Sequence, residues 1–271
     1  MEFCQLSFKN SFIGYYRFGN GPKTAICFHG YGEGGESFGF LEKYAGTQFS
    51  FYSIDLPFHG KTRWKEDPDL SPADLVDIVT GILQQNNRAL APIILMGFSL
   101  GGRIALGLYQ DMPEKIDRII LLAPDGLKVN FWYWLATQTG LGNSFFAFTM
   151  KKPGWFFGFL KLINKLKLVN ASIFKFVKYY IGDAAIRQLL YARWTSLRKI
   201  RPQISRIKKE IGENKTKVSL IYGMHDRIIL PSVGEKFRKG IEEQCTISII
   251  HAGHQVLHEK HVQEILPALL P

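Results

Sequence analysis

A serine framed by glycines is the residue of this sequence best suited to nucleophilic chemistry. Gly97-Phe98-Ser99-Leu100-Gly101-Gly102 follows the apolar run Ile93–Met96 and precedes a stretch of helical pattern. A Gly-x-Ser-x-Gly string between a strand and a helix is the nucleophile-elbow pattern, in which a sharp turn lifts the serine hydroxyl clear of the sheet. Side chains two residues before and after the serine would collide with neighbouring backbone. The sequence therefore predicts Ser99 as a nucleophile rather than an incidental residue of a glycine-rich turn.

A serine hydroxyl needs an adjacent base, and the base needs an acid that orients it. Seven histidines are present. We favour His254, because it follows the last predicted strand in Ala252-Gly253-His254. Structural roles are expected for five others, two in loops and three at or after the end of the last strand: His29, His59, His251, His258 and His261.

Two aspartates at strand ends compete for the role of the acid. Asp226 ends the segment Tyr222-Gly223-Met224-His225-Asp226, directly after the penultimate predicted strand. Asp125 follows the fourth predicted strand in Ala123-Pro124-Asp125-Gly126. We favour Asp226, because its loop precedes the His254 loop on a neighbouring strand. Asp55 also ends a strand, and we expect it to be a structural turn residue.

Short apolar runs separated by helical stretches position these residues. The predicted strands are Thr24–Phe28, Phe49–Ile54, Ile93–Met96, Arg118–Leu122, Val218–Tyr222 and Ile247–Ile250. The predicted helices are Ala73–Gln85 (capped by Ser71-Pro72), Leu100–Tyr109 and Ser232–Lys239. Continuous apolar runs of this length are typical of strands buried on both faces. The pattern predicts an α/β fold with a mostly parallel central sheet, whose ligands bind beyond the carboxyl ends of the strands.

The charge of the chain is concentrated in one segment. The 271 residues carry a formal net charge of +11. Residues 126–215 hold 17 Lys and Arg against Asp183, Glu210 and Glu213, a net of +14, and 17 of the 37 aromatic residues. The rest of the chain therefore carries a net charge of −3. Two such compositions predict a basic unit, residues 126–215, inserted into a near-neutral one.

Composition also indicates whether the chain is folded, whether it contains disulfides or zinc, and where in the cell it is located. Apolar residues make up 46% and charged residues 21% of the chain, which argues against disorder. Cys4, Cys27 and Cys245 are odd in number and far apart, so we expect neither a disulfide framework nor a zinc site. No secretory signal is visible in residues 1–12. Val129–Met150 is uncharged, but polar residues interrupt it, so we reject a membrane span and expect a cytoplasmic protein.

Five motifs in one order make the chain resemble the α/β-hydrolase superfamily over residues 1–125 and 216–271. They are His29-Gly30-Tyr31-Gly32, Asp55-Leu56-Pro57-Phe58-His59-Gly60, the Ser99 elbow, the Asp226 loop and Gly253-His254. The order Ser99, Asp226, His254 is the chain order of that superfamily. The resemblance implies a sheet flanked by helices, with residues 126–215 as an inserted helical cap or lid.

The resemblance also implies a mechanism and site residues. Ser99 would attack an acyl carbon while His254 takes its proton and Asp226 orients the imidazole. The backbone N–H groups of Tyr31 and Leu100 would hold the oxyanion, with no metal or cofactor. Haloalkane dehalogenases and epoxide hydrolases are similar but need a carboxylate at the elbow, where this chain has a serine. The leading interpretation is an esterase with a small-molecule substrate that has an apolar acyl group.

Other functions stay open at this stage. Thioester cleavage or carbon–carbon bond hydrolysis would use the same three residues, and a non-catalytic relative would keep only the pocket.

The insertion contains five apolar residues at helical spacing, which predict a helical face that lines the active site, opposite Lys161 and Lys165. These residues are Phe156, Phe159, Leu160, Ile163 and Leu166. Ala184–Ile200 predicts a second helix. The basic, aromatic insertion also suggests peripheral contact with an anionic membrane, whereas no motif supports nucleic-acid binding. Oligomeric state and natural substrate are left open.

Overall fold

One large sheet organises the fold. A computed structural model describes residues 1–66, 69–88, 92–165 and 181–270. The described residues form a sheet of eight strands in the order β1-β2-β4-β3-β5-β6-β7-β8. The strands are β1 (Glu2–Phe8), β2 (Ser11–Phe18), β3 (Lys23–Phe28), β4 (Phe49–Ile54), β5 (Ile93–Phe98), β6 (Ile116–Leu122), β7 (Lys217–Gly223) and β8 (Cys245–Ile250). All pairs from β4 to β8 are parallel, which confirms the predicted α/β fold with a mostly parallel sheet.

Helices follow most of the strands along the chain. They are α1 (Leu41–Ala45), α2 (Pro72–Gln85), α3 (Leu100–Asp111), α4 (Phe131–Gln138), α5 (Gly140–Lys151), α6 (Gly154–Lys165), α7 (Ala184–Ser196), α8 (Ile204–Asn214), α9 (Pro231–Arg238) and α10 (Val262–Leu269). Helix α2 begins as predicted, with Ser71 as its cap: the Ser71 hydroxyl accepts from the Asp74 N–H, and the Asp74 carboxylate accepts from the Ser71 N–H. This reciprocal pair satisfies two N–H groups that a helix start leaves without partners.

The first two strands are a feature that the apolar runs did not predict. β1 and β2 form an antiparallel hairpin, and β2 pairs antiparallel with β4. Most side chains of β1 are exposed or half-buried, so its sequence has no continuous apolar run. The hairpin extends the sheet at the edge opposite β8.

The chain divides into two compact units whose boundary differs from the predicted one. One unit comprises Met1–Lys128 and Lys199–Pro271, and the other comprises Val129–Arg198. Residues 199–215, predicted to belong to the insertion, are thus part of the unit that contains the sheet. The reason is α8, which buries Ile207 and Ile211 and lies against α3. The Gln110 side chain on α3 accepts from the Gln203 N–H at 2.7 Å.

The unit Val129–Arg198 is helical in its described part and has its own contacts. The ring of Phe146 on α5 lies 5.3 Å from that of Tyr191 and 5.5 Å from that of Trp194, both on α7. The Tyr133 hydroxyl donates to the Trp194 carbonyl at 3.0 Å, and Arg187 donates to the Met150 carbonyl at 2.8 Å. Helix α7 ends at Ser196, four residues before the predicted end. That this unit serves as a cap stays a prediction.

The predicted apolar face of α6 is only partly correct. Leu160 is buried, but Phe159 is about half exposed, and Phe156 and Ile163 are half-buried. Leu166 and the side chain of Lys165 lie outside the described residues. The face that α6 buries is therefore centred on Leu160, and Phe159 belongs to a second, exposed side.

The lengths of the helices decide whether any of them could span a membrane. Among the residues that the structure describes, no helix is both long and apolar enough to cross a membrane. The uncharged run that begins at Val129 forms two short helices, and Thr139 caps the second by accepting from the Gly142 N–H.

Cys4, Cys27 and Cys245 are free thiols, and burial raises the pKa of Cys245 to about 12. The cytoplasmic location stays a prediction.

Candidate active site

Ser99 occupies a sharp turn between β5 and α3. Its backbone has φ 49° and ψ −113°, a conformation that is costly for a residue with a side chain. Three hydrogen bonds hold the turn: the Ser99 N–H donates to the Leu122 carbonyl at 2.9 Å, and its own carbonyl accepts from the N–H groups of Gly102 at 2.9 Å and Asp125 at 2.8 Å. Strain of this kind persists only where the surroundings enforce it, and these bonds to the end of β6 and to α3 do so.

The glycines around Ser99 are required by close backbone contacts. A Cβ atom on Gly97 would lie 2.5 Å from the Gly101 carbonyl oxygen. A Cβ atom on Gly101 would lie 1.9 Å from the Phe28 carbonyl oxygen at the end of β3. Cβ atoms essentially never approach a non-bonded atom this closely. The Gly-x-Ser-x-Gly pattern therefore reflects how closely α3 approaches the ends of β3 and β5.

His254 joins Ser99 to Asp226. The Nε2 atom of His254 lies 2.9 Å from the Ser99 hydroxyl oxygen, and its Nδ1 atom lies 2.7 Å from Oδ2 of Asp226. Because a carboxylate only accepts, the Nδ1 atom carries the proton in this arrangement. The Nε2 atom is then free to accept from the serine hydroxyl. The Phe98 ring packs against the imidazole, with ring centroids 5.5 Å apart.

Backbone hydrogen bonds hold the loop that carries Asp226 beside the loop that carries His254. The N–H groups of Met224 and His225 donate to the carbonyls of Ile250 and Ala252, at 2.8 and 2.9 Å. These bonds continue the pairing of β7 with β8 beyond the strand ends. Sequence positions 28 residues apart therefore lie side by side at one edge of the sheet.

The carboxyl group of Asp226 is buried and held by backbone. Its Oδ1 atom accepts from the N–H groups of Ile228 at 2.7 Å and Ile229 at 3.0 Å, which leaves Oδ2 directed at His254. The rival aspartate, Asp125, has different partners. Its Oδ1 atom accepts from the Gly126 N–H at 2.8 Å, and its Oδ2 atom forms an ion pair with Arg103 at 3.4 Å. The structure thus brings the favoured aspartate to the histidine.

The two predicted oxyanion donors lie near adjacent strand ends. Tyr31 follows β3, and Leu100 is the first residue of α3, directly after Ser99. The N–H of Leu100 belongs to the first helical turn, whose N–H groups have no acceptor within the helix. β3 and β5 are neighbours in the sheet, with Phe28 paired to Gly97. The role of these two N–H groups stays a prediction.

The other histidines have other partners. His29 is buried: its Nδ1 atom donates to the Gly30 carbonyl at 2.8 Å, and its Nε2 atom accepts from the Leu56 N–H at 3.1 Å. It therefore ties the loop after β3 to the loop after β4. The buried His59 donates to the Pro57 carbonyl at 2.9 Å. His225 and His251 contact each other, with Nε2 atoms 3.2 Å apart, and His258 accepts from the Lys260 N–H.

Asp55 also has the structural role expected of it. Its Oδ1 atom accepts from the Gly35 N–H and its Oδ2 atom from the Lys61 N–H, each at 2.7 Å. Burial raises the pKa of this carboxyl group. Among the described residues, no cluster of three or more His, Cys, Asp and Glu side chains is arranged to hold a metal ion.

One pair beside the site was not predicted from the sequence. The side-chain amide of Gln255 donates to Oε1 of Glu33 at 2.9 Å. Gln255 follows the histidine directly, and Glu33 lies two residues after Tyr31, so this bond connects the two loops. Burial raises the pKa of Glu33. The only signal in the sequence is that each residue lies close to a motif.

Comparison with known proteins gives relatives of the same fold. The uncharacterized hydrolase YugF of Bacillus subtilis is 22% identical over 243 residues, which cover 89% of this chain and 86% of the relative. The pimeloyl acyl-carrier-protein methyl ester esterase of Nitrosomonas europaea is 24% identical over 251 residues, which cover 87% and 90%. The solved structure of a thermophilic esterase from Thermogutta terrifontis aligns over all of both chains, with a TM-score of 0.67 and 15% identity.

A match to a family model shows the family to which the chain belongs. The model describes the alpha/beta hydrolase fold and matches residues 24–261, from β3 to the last turn before α10. The match includes Ser99, Asp226 and His254 as well as both loops after β3 and β4. Since it spans most of the chain, the protein is a member of the alpha/beta hydrolase family.

Proposed function

We propose that the protein is a serine hydrolase that cleaves a carboxylic ester with an apolar acyl group. The observation that carries this proposal is the hydrogen-bonded series from Ser99 through His254 to Asp226. Pure ligand binding needs neither a strained serine nor a base oriented by a buried carboxylate. Nucleophilic catalysis needs both, because a serine hydroxyl is a weak nucleophile until a base removes its proton.

The reaction proceeds through an acyl-enzyme. The Ser99 hydroxyl oxygen attacks the acyl carbon while its proton passes to Nε2 of His254, and Asp226 stabilises the imidazolium. The proton then passes to the departing alcohol as the bond between carbon and the leaving oxygen breaks. Water attacks the acyl-enzyme while His254 again takes a proton, and His254 returns this proton to the Ser99 oxygen as the acyl bond breaks and the acid is released. In this scheme the N–H groups of Tyr31 and Leu100 hold the oxyanion, and no metal or cofactor takes part.

The choice of an ester is supported by two similar proteins and by the composition of the chain. The Nitrosomonas europaea relative is named for action on a methyl ester, and the Thermogutta terrifontis protein is an esterase. The apolar acyl group is inferred from the aromatic-rich composition of the segment after β6. Thioester and carbon–carbon bond hydrolysis would use the same nucleophile and base, so substrate assays decide among them.

A fluorophosphonate probe tests the nucleophile. We expect stoichiometric labelling of Ser99, identified by mass spectrometry of the modified peptide. Labelling is expected to be lost in Ser99→Ala and strongly slowed in His254→Ala. His258→Ala is the matched control, because this exposed histidine bonds to Lys260 and not to Ser99. Labelling at another residue, or labelling of His254→Ala at the wild-type rate, would contradict the proposal.

A substrate panel tests the reaction. We expect p-nitrophenyl esters to be hydrolysed with kcat/KM rising with acyl chain length, and Ser99→Ala to lower kcat by up to about 10⁶-fold. Acyl thioesters and a vinylogous diketone serve as competing substrates in the same assay. A clear preference for either would replace the ester with that bond class. Turnover of every substrate by Ser99→Ala would show that the nucleophile is misassigned.

A further inference from the structure

Two consecutive helices of the unit Val129–Arg198 expose large apolar side chains with the same spacing. On α5 these side chains are Leu141, Phe145 and Phe148, and on α6 they are Trp155, Phe159 and Leu162. Each set falls at positions i, i+4 and i+7, which lie on one face of a helix. The six side chains are between 39% and 90% exposed. We refer to these six residues as the apolar face.

The apolar face is continuous from one helix to the next. The rings of Phe145 on α5 and Trp155 on α6 are in contact, with centroids 5.0 Å apart. The three residues of each helix extend over almost two turns, about 10 Å along the axis. The two rows therefore form one surface and not two isolated patches. Contiguous apolar surfaces of this kind mark sites of interaction with a protein or a membrane.

The opposite side of the two helices is already covered. On α5, Phe146 packs against α7, and Met150 is buried. On α6, Leu160 is buried. Both helices thus carry apolar side chains on an exposed side as well as on the side that they bury. The exposed side needs a further partner.

The charge around the apolar face has one sign. Lys151 is the last residue of α5, Lys152 follows it, Lys161 lies on α6, and all three side chains are exposed. Between Asp125 and Asp183 the sequence contains eight lysines and no Asp or Glu. A partner of the apolar face therefore meets lysines, with no acidic residue in the same stretch of sequence. Lysine is depleted in protein–protein interfaces, whereas lysines beside Trp, Phe and Leu are typical of helices that lie on anionic membranes.

We propose that the apolar face docks on the surface of an anionic lipid bilayer. The six side chains enter the boundary between headgroups and acyl chains, and the lysines contact lipid phosphates. Each helix has 12 residues and is about 18 Å long, so both lie along the surface rather than across the hydrocarbon core, which is about 30 Å thick. Docking does not depend on the reaction at Ser99, so the two proposals fail separately.

Vesicle flotation of the full-length Ser99→Ala protein tests the docking. Phosphatidylcholine vesicles with and without phosphatidylglycerol are compared at low and high salt. We expect binding to vesicles that contain phosphatidylglycerol, weakened by salt, and little binding to pure phosphatidylcholine. Brominated acyl chains in the same vesicles are expected to quench tryptophan fluorescence, and Trp155→Phe is expected to reduce the quenching. The quenching reports insertion, which adsorption by charge alone would not produce.

Matched variants separate the apolar and the charged contributions. Phe145→Ser with Phe159→Ser is expected to weaken binding by at least about tenfold. Lys151→Gln with Lys152→Gln is expected to weaken it by about fivefold per lysine. Phe12→Ser and Lys236→Gln are the controls, because both side chains are exposed on the other unit. Circular dichroism and unfolding midpoints equal to those of the parent show that each variant is folded.

Three outcomes would overturn the proposal. They are equal binding to neutral and anionic vesicles, binding that Phe145→Ser with Phe159→Ser leaves unchanged, and self-association in sedimentation velocity that this double variant abolishes. The last result would assign the apolar face to contact with a second copy of the chain.

Discussion

The side-chain amide of Gln255 lies 2.9 Å from a carboxyl oxygen of Glu33, and this contact joins the loop after β8 to the loop after β3. The first loop carries His254 and the second carries Tyr31. In the proposed mechanism the base and the oxyanion donor act on different atoms bonded to the same acyl carbon, so their relative placement affects the rate steeply. We infer that this bond positions the two loops.

Removal of this bond should affect catalysis more than folding. We expect Gln255→Ala to lower kcat/KM by about two- to tenfold, the effect of one hydrogen bond, with little change in the unfolding midpoint because the side chain is exposed. Gln263→Ala on α10 is the control, since that glutamine is also exposed. Initial rates with a p-nitrophenyl ester measure the effect. Equal loss in both variants would contradict a positioning role.

The raised pKa of Glu33 predicts a pH dependence of stability. Burial raises this pKa, so the folded state binds the proton more tightly than the unfolded state. The free energy of unfolding therefore falls as pH rises from the ordinary carboxyl pKa through the raised one. Glu33→Gln cannot ionise, and its stability relative to wild type should increase across that window and then level off. Urea unfolding at a series of pH values measures the difference. A difference independent of pH would contradict the assignment.

Backbone strain at Ser99 predicts that a glycine variant is more stable than an alanine variant at this position. We expect Ser99→Gly to be more stable than Ser99→Ala by about 1–2 kcal/mol, because relief of about 1–3 kcal/mol of strain exceeds the entropy cost of glycine, about 0.5–1 kcal/mol. Both variants lack the hydroxyl, so the comparison isolates the backbone. At Ser232, a helical residue of α9, the same pair should rank in the opposite order. Urea unfolding measures both pairs, and the same order at both sites would refute the strain.

The close contact at Gly101 predicts a severe effect of one methyl group. Gly101→Ala should destabilise the fold by about 3 kcal/mol or more, because its Cβ would overlap the Phe28 carbonyl oxygen. Gly212→Ala on α8 is the matched control. A Cβ there meets no atom within 4 Å, so alanine should stabilise that helix by about 0.5–1 kcal/mol. Thermal and urea unfolding compare the two, and a mild effect at Gly101 would count against the described approach of α3.

The strands that carry the site could be predicted because burial leaves a local signature. β4 is buried at all six positions and its bounds were predicted to the residue, Phe49–Ile54. The residues that meet at the site follow β5, β7 and β8 within four residues of each strand end. In a parallel sheet the carboxyl ends of neighbouring strands share an edge, so proximity follows from sequence position. The pairing of β6 with β7 brings the distant halves of the chain together.

Other features depend on packing that composition does not report. α8 has Arg206, Lys208 and Lys209, so its composition resembles that of the basic insertion. Its buried side, Ile207 and Ile211, belongs to the unit that contains the sheet. Surface charge and packing partner are set by different faces of one helix, and only the first appears in a charge count.

The buried side of α6 and the contact between Glu33 and Gln255 also depend on packing and could not be predicted from the sequence. Periodicity identified an apolar side of α6, but apolar residues occur on two sides, and sequence spacing could not tell which one is buried. Glu33 and Gln255 are 222 residues apart, and neither belongs to a repeating pattern. The parallel sheet places both loops at the carboxyl ends of the strands, but β3 and β8 are not neighbours, so the contact depends on the path of each loop.

The helical unit is encoded as one uninterrupted segment between β6 and β7, whereas Ser99, Asp226 and His254 all lie on the flanking portions of the chain. A single genetic exchange of that segment would leave these three residues, and the residues whose backbone groups bond to them, in place in the sequence.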